Sequence, residues 1–341
     1  MENSSESSNS TDTYDTSNAE LIPSRQVQFW TILLVEIPSL ACTLYLLYHL
    51  LTRRRLRQAL HNHVVISILT LSFLVGVIDN PLYLDAYLHR GRNTFQSFPA
   101  ICLIWWLVDY GVYGAITVFL AWGSLERHIL IFHHAQLLGT RRRRLIFHYL
   151  PLGFIAIYMT GFYIYVIVFP PCENAYDYGT EACGSSPCYE DVPWLNIWDY
   201  IVNGALSTLI EFACTVALLV RVVWQKCSAH QPIRWRKHRR MATQLLSMSA
   251  LSLTTTLPQS VIAGIQHTLP GMNEYAYELG CYLFYLTTFS VLLLPFVCLG
   301  CLPEAWPKRW RLCKRKRPAA VVPIPMTAML GPSMMTNQLL M

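Results

Sequence analysis

The chain has 341 residues, of which 53% are hydrophobic and only 13% are charged, and its mean hydropathy is +0.33. An ordinary soluble domain carries about 25% charged residues, so this composition excludes that class and predicts an integral membrane protein. The net charge of +6 does not indicate nucleic-acid binding, because the basic residues lie in clusters between apolar runs, which is the topology signal of a membrane protein.

Residues 1–27 form a polar segment that is rich in serine, threonine and acidic residues. Such a composition cannot bury a core, so we predict a disordered tail. The tail contains two glycosylation acceptor triplets, which begin at Asn3 and Asn9. It has neither the basic nor the apolar region of a cleavable signal peptide, so we expect the first apolar run to direct insertion.

Seven apolar runs follow, each long enough to cross a hydrocarbon core of roughly 30 Å as a helix. Their approximate bounds are 29–51, 64–87, 98–132, 145–169, 194–224, 241–265 and 275–302. We therefore predict an all-α membrane protein, a seven-helix bundle over residues 28–302. Prolines inside these runs are compatible with membrane helices, where they produce kinks.

The basic residues predict the orientation of the bundle. Clusters of lysine and arginine follow the first, third, fifth and seventh runs, whereas only Arg25, Arg90 and Arg92 lie on the opposite side. The positive-inside rule then places the N-terminus outside and the C-terminus inside. Residues 303–317 are basic and carry tryptophans at helical spacing, so they are a candidate interfacial helix in contact with membrane lipids. Residues 318–341 are expected to be a flexible cytoplasmic tail.

Cysteines divide between the two sides. Cys102, Cys172, Cys183 and Cys188 lie at the outer face, where disulfides form. We expect Cys102 to tie the third helix to the loop after the fourth run. Four cysteines allow three pairings, and the sequence does not choose among them, although we slightly prefer Cys183 as the partner. On the inner side, Cys313 is either a palmitoylation site or a reduced thiol.

The loop after the fourth run is acidic and contains no lysine or arginine. Its acids are Glu173, Asp177, Glu181, Glu190 and Asp191. This loop could attract a cationic ligand, but solvation together with avoidance of positive charge outside is the simpler interpretation.

The third run has the features around which the other runs are arranged. Cys102 and Arg127 are 25 positions apart, which corresponds to about 37 Å of helix, so one helix can place them at opposite membrane faces. Asp109 is the interior charge of this run, and an intramembrane acid is by default a functional-site hypothesis. The alternative is an internal hydrogen bond to Tyr110 or to a tyrosine of the second or seventh helix.

Other acids, Glu36, Asp79 and Glu211, also lie within apolar runs. A transporter could use them as a proton relay, but no run carries a basic partner and no internal repeat is present. Interhelical hydrogen bonding is the alternative interpretation. A metal site needs three or four ligands that converge, usually with acidic residues or cysteines among them. Neither His61 and His63 nor His133 and His134 have such residues nearby in the sequence, so we expect no metal site there.

The runs, the loops and the third helix together resemble the rhodopsin-like (class A) G-protein-coupled receptors over roughly residues 29–313. Cys102 and Arg127 have the family's spacing, and Glu126-Arg127-His128 is similar to its acid-arginine-aromatic motif. The other residues that carry the resemblance are Asn62, Pro258 and Pro295, which are similar to the family's asparagine of the second helix and kink prolines of the sixth and seventh.

Several family residues are absent, so the chain looks like a divergent member. Ser72 takes the place of the sodium-site aspartate, and Thr255-Thr256-Leu257 precedes Pro258 where the family has Cys-Trp-aliphatic. The seventh run reads Leu294-Pro295-Phe296-Val297-Cys298 and lacks the family's asparagine and tyrosine. Thr288 takes the place of the retinal lysine, which disfavours an opsin.

The resemblance implies a plasma-membrane receptor that converts binding of an extracellular ligand, a peptide or a small cation, into activation of a heterotrimeric G protein. Glu126, Arg127, His128, Pro258 and Pro295 would form the coupling and switch residues. The ligand candidates by position are Asp109, Tyr110, Tyr113 and Glu278.

No cofactor, resident metal, nucleic-acid partner or enzymatic activity is expected, because no nucleophile, phosphate-loop or metalloprotease motif is found. The competing classes are a membrane transporter or channel and a non-signalling decoy receptor, the latter because switch residues are missing.

Overall fold

The computed structural model describes residues 23–89, 98–132, 140–177, 183, 186–227, 232–268 and 273–302. Nearly all of these residues are helical and none of them lies in a strand. We number the seven long helices in chain order: α1 (Arg25–Thr52), α2 (His61–Leu74, Val75–Asp79 and Asn80–Leu88), α3 (Pro99–Trp106, Leu107–Val112 and Tyr113–Phe132), α4 (Arg141–Arg144, Leu145–Tyr149, Leu150–Tyr163 and Ile164–Val168), α5 (Pro193–Trp198, Asp199–Ala205 and Leu206–Cys227), α6 (Pro232–Thr268) and α7 (Asn273–Cys301). A one-turn helix, Arg54–Arg57, precedes α2, and the 3₁₀ helix Cys188–Asp191 precedes α5.

Several sequence predictions lie outside the described residues. They are the glycosylation sites Asn3 and Asn9, the histidines His133 and His134, the candidate interfacial helix 303–317, Cys313 and the C-terminal tail 318–341.

Six helices, α1 to α5 and α7, are long and apolar enough to cross a membrane. This confirms the prediction of a multi-pass, all-α membrane protein. Among the described helices α6 is long but is not one of these six, because its central part is rich in serine and threonine. Their hydroxyls bond back to the helix itself: Thr256 donates to the Ser252 carbonyl over 3.1 Å and Ser260 to the Thr256 carbonyl over 2.9 Å.

Six of the seven long helices begin before the apolar runs that predict them, and only α3 does not. α1 begins at Arg25, inside the predicted tail 1–27, and α4 begins at Arg141, where the Thr140 hydroxyl accepts a bond from the Arg143 amide at 3.4 Å. The reason is that an apolar run predicts only the part of a helix that lies in lipid. Arginine is a good helix former in water, so the helix can continue into the polar residues next to the run.

Five of the helical segments have the wider π-helical turn: Val75–Asp79, Leu107–Val112, Leu145–Tyr149, Ile164–Val168 and Asp199–Ala205. Pro81 and Pro151 follow two of these segments, and a proline ring clashes with the carbonyl four residues earlier, so the wider turn accommodates it. Asp79, Asp109 and Asp199 all lie in π-helical segments, a conformation that is frequent at functional sites.

α3 is the central helix of the described bundle, because it contacts α2, α4, α5 and α6. α1 packs on α2 and α7, and α6 packs on α7. The core around α3 contains the fully buried side chains of Ile68, Trp105 and Leu120. Large apolar side chains on the outer face of α4, such as Phe154 and Ile157, are exposed, as expected of a helix face that meets lipid.

A candidate ligand cavity and the buried charges of α3

Two disulfides attach the segment between α4 and α5 to the bundle. Cys102 is paired with Cys183 at a Cα–Cα distance of 5.8 Å, and Cys172 with Cys188 at 6.0 Å. Of the three pairings that the sequence leaves open, this is the one it slightly favours. The Trp106 ring also stacks on Tyr176 of this segment at 5.3 Å. The segment is therefore held against the Cys102 end of α3.

A cavity of about 1070 Å³ lies next to this attachment. Every long helix except α1 contributes to its wall, and residues 186 and 190 of the attached segment also contribute. Representative lining residues are Tyr83, Asp109, Tyr163, Asp199, Thr256 and Phe284. The cavity is large enough for a drug-sized molecule.

Asp199, at the start of the π-helical segment of α5, accepts three hydrogen bonds. The Tyr163 hydroxyl donates from 2.8 Å, the Tyr189 hydroxyl from 2.9 Å and the Asn203 amide from 2.7 Å. These bonds join α4, α5 and the 3₁₀ helix. Our sequence reasoning missed Asp199, although it is an acid inside an apolar run, the signal that identified Asp109.

Asp109 has far fewer partners. Its Oδ2 accepts one long bond from the Tyr83 hydroxyl at 3.3 Å, and its Oδ1 has no hydrogen-bond partner among the described residues. A tyrosine of the second helix is one of the internal partners that the sequence analysis considered. Asp109 is nevertheless one of the residues that line the cavity.

Glu190 is the third acid of the cavity wall, and it lies outside the membrane-spanning helices. Burial raises the pKa of its carboxyl above the ordinary value, and the nearby Asp199 and Asp191 raise it further, while a hydrogen bond from Ser186 opposes them. No lysine, arginine or histidine is among the described residues that line the cavity. The cavity wall is therefore acidic.

The sequence-predicted ligand residues are only partly brought together. Asp109, Tyr110 and Tyr113 line the cavity, whereas Glu278 is not among its lining residues. Glu278 lies near the start of α7, and an apolar run alone does not specify which way such a residue faces.

The opposite end of α3 holds the predicted coupling residues. The Arg127 side chain is fully buried, and Glu126 is 2% exposed. Glu126 bonds through Oε1 to Nδ1 of His148 on α4, a partner that the sequence analysis did not name. His128 faces α5, where its Nε2 lies 2.8 Å from the Cys214 carbonyl oxygen.

Pro258 and Pro295 both lie inside helices, in α6 and α7 respectively. Polar pairs connect these helices to each other and to α3. Ser124 is 3.1 Å from Ser249, and Thr255 is 3.0 Å from Ser290. Each such neutral bond contributes only about 1 kcal/mol.

In the described ranges, no group of three or more histidine, cysteine or acidic residues is placed to hold a metal ion. No protein-family model matches the chain, and no curated protein matches its sequence significantly.

Proposed function

We propose that the chain is a divergent rhodopsin-like G-protein-coupled receptor of the plasma membrane. It has seven membrane-spanning helices, with the N-terminus outside and the C-terminus inside. One observation carries the proposal: α3 has a cavity beside its disulfide-bonded Cys102 and a fully buried Arg127 about seven turns further along. A ligand site and a coupling site on one helix are what such a receptor requires.

The ligand is a cation. Three carboxylates, those of Asp109, Glu190 and Asp199, line the cavity without a basic neighbour in its described wall. Asp199 is already bonded to three donors of the protein, so Asp109 is the acceptor within the helices that remains for the ligand. A charge pair formed in this desolvated place is stronger than one formed in water.

Activation is a population shift between two arrangements of the bundle. α6 is joined to α3 and α7 by single hydroxyl bonds, such as Ser124–Ser249 and Thr255–Ser290. These bonds are individually weak. In the second arrangement of the bundle, which the ligand favours, the end of α6 near Arg127 is separated from α3. Pro258 is the natural hinge, and Arg127 then becomes accessible to the G protein.

The first test measures G-protein dissociation in cells that express the full chain, with a panel of amines and cationic peptides. We expect a response that Arg127→Ala abolishes at unchanged surface expression. Arg142→Ala is the matched control, because Arg142 is an exposed arginine at the start of α4. A response that persists in Arg127→Ala would overturn the proposed coupling site.

The ligand contact has its own test. With any agonist found in this panel, Asp109→Asn should raise the half-maximal concentration at least tenfold, because the variant keeps the shape and loses the charge. Thr70→Ala changes an exposed polar residue of α2 outside the cavity wall and should leave the concentration unchanged. Equal potency of wild type and Asp109→Asn would exclude Asp109 as the contact.

A second candidate function is transport of a proton or a cation. Asp79 and Glu211 are fully buried acids of α2 and α5. Intramembrane acids of this kind serve transporters as relays. Substrate-dependent current or uptake by purified protein in proteoliposomes, without any G protein, would favour transport over the receptor.

A further inference from the structure

A chain of three side chains joins α2, α3 and α4 beside Arg127. Glu126 Oε1 bonds to Nδ1 of His148. The other nitrogen of that ring, Nε2, lies 2.8 Å from Nδ1 of His63. His63 Nε2 in turn lies 2.9 Å from the carbonyl oxygen of Arg57. Glu126 and His148 are 2% and 1% exposed, whereas His63 is only half-buried.

The hydrogens of this chain can be counted from its far end. A carbonyl oxygen only accepts, so Nε2 of His63 must carry a hydrogen. If the His63 ring is neutral, its Nδ1 is then an acceptor, and Nε2 of His148 must donate to it. A neutral His148 would in that case present a bare Nδ1 to Glu126.

A bare nitrogen and a carboxylate oxygen are both acceptors and cannot bond to each other. One further proton must therefore lie between His148 and Glu126, either on the carboxyl or on the ring. If each hydrogen shifts by one position along the chain, the positive charge moves from His148 to His63. The total number of hydrogens on the three side chains stays the same. In every arrangement the three side chains hold one proton more than a carboxylate and two neutral imidazoles.

We propose that this Glu126–His148–His63 chain is a proton-dependent clamp, in which His148 and His63 are positioning residues for Glu126. With the extra proton, Glu126 is tied to α4 and, through His148, to α2. Without it, the Nδ1 lone pair faces a carboxylate and the contact breaks. Glu126 is then free to approach its neighbour Arg127.

Other charged and titratable groups also face the chain. On α3, Arg127 interacts electrostatically with Glu126. On α4, the Tyr149 ring contacts both His63 and His148, with centroids 5.5 Å and 4.7 Å apart. Arg57 contributes its carbonyl, while Arg141 to Arg144 at the start of α4 are exposed. These cations favour the charged carboxylate, so the extra proton is held by the hydrogen-bond geometry rather than by the local field.

The half-buried His63 is the route by which the chain exchanges its proton with solvent. In the proposed orientation that solvent is the cytosol. The clamp therefore responds to cytosolic pH, whereas a proton from outside has no short path to it. Only this consequence depends on the proposed function; the proton count depends on the geometry alone.

The sign of the effect on stability follows from the two proton counts. Above about pH 7.5, roughly one unit over the ordinary pKa of histidine, an unfolded chain has neutral histidines and an ionised glutamate. The folded chain binds one proton more, so its stability falls as pH rises. For one proton, the unfolding temperature should drop by about 2 °C per pH unit.

The experiment measures the unfolding temperature of the full-length protein in lipid nanodiscs between pH 7.5 and 9. The wild-type slope should contain this one-proton contribution. In Glu126→Gln the amide N–H donates to Nδ1 of His148, and in His148→Gln an amide N–H donates to the Glu126 carboxylate. Both variants keep the connection without the extra proton, so in both the slope should be smaller than in wild type by this one-proton contribution.

Asp85→Asn is the matched control. Asp85 lies 3.0 Å from His89 in an acid–histidine pair whose histidine is exposed, so this change should leave the slope as in wild type. A merely structural role of Glu126 would lower the unfolding temperature equally at every pH. If wild type and a variant that folds have the same slope, the proposed clamp is wrong. That result would not contradict the proposed G-protein coupling, which the Arg127→Ala experiment tests separately.

Discussion

The carboxylates of the cavity wall differ in how many donors the protein gives them. Asp199 receives three hydrogen bonds and Asp109 one long one. A bond to a charged group contributes about 1.5–3 kcal/mol, so Asp199 is an element of stability. Asp109 keeps an acceptor that the described protein does not use, which suits a ligand contact. Two acids of the same cavity thus have different roles.

Asp199→Asn should destabilise the protein by about 2 kcal/mol, because an amide oxygen replaces a charged acceptor of three donors. The measurement is the thermal unfolding of purified protein in detergent. Asp191→Asn changes an exposed carboxylate nearby and should leave the unfolding temperature within a degree or so of wild type. Equal shifts in the two variants would show that the three bonds contribute nothing.

If the cavity binds a cation as proposed, the raised pKa of Glu190 makes that binding depend on pH. Because its carboxyl takes up a proton at a higher pH than an ordinary glutamate, the cavity loses negative charge as the pH falls from 7 toward 5. The affinity for a cationic agonist, measured by radioligand competition, should therefore decrease over this range. In Glu190→Gln the decrease should be smaller, and an unchanged pH profile would mean that Glu190 does not face the ligand.

Sequence reasoning finds individual buried charges but not their partners. Asp109 and Arg127 are evident because each interrupts an apolar run, and the same rule identifies Asp199. His148 gives no such signal, because a histidine at the edge of the fourth apolar run, four positions after Arg144, indicates no particular partner. Its bond to Glu126 joins residues 22 positions apart on different helices, which only the packing of α3 on α4 determines.

At the scale of the elements, the close approach of α3 and α4 brings the cavity residues together. Gly111 and Gly114 allow it. A Cβ on Gly114 would lie 2.7 Å from the Tyr163 hydroxyl oxygen, which is the atom that donates to Asp199. The two glycines on one face of α3 thus position Tyr163, and with it the cavity wall.

Gly114→Ala should displace Tyr163 and weaken its bond to Asp199. We expect a lower unfolding temperature and a weaker agonist response, both measured on purified or cell-expressed protein. The control is Gly153→Ala on α4, where an added Cβ meets nothing within 4 Å. Since alanine is the better helix former by about 1 kcal/mol, Gly153→Ala should be neutral or stabilising. A harmless Gly114→Ala would contradict the close packing.

The helices themselves could be predicted from the apolar runs, but their internal geometry could not. Hydropathy has no term that separates an α-turn from a π-turn, so the wider turns at Asp79, Asp109 and Asp199 were not foreseen. The partner of Cys102 was also left open, because loop composition does not say which cysteine the folded segment presents to α3.

For the whole molecule, the proposed topology predicts where its two ends lie. An epitope fused to the N-terminus should be stained on intact cells, and one fused to the C-terminus only after permeabilisation. The clusters of arginine and lysine on one side are the physical reason. Glycosidase should increase the gel mobility of wild type, and the double change Asn3→Gln/Asn9→Gln should abolish this shift. An N-terminal epitope that is hidden on intact cells would reverse the orientation.

The hydroxyl-rich middle of α6 has a consequence for biogenesis. A helix with so many serines and threonines partitions weakly from the translocon into lipid, even when its hydroxyls bond to its own carbonyls. Its described part shares its most extensive contact with the strongly apolar α7. In the proposed topology, we therefore expect α6 to remain beside the translocon until α7 has been synthesised, and the two to enter the lipid together as a helical hairpin. A nascent chain that ends before residue 273 would leave α6 on the cytoplasmic side.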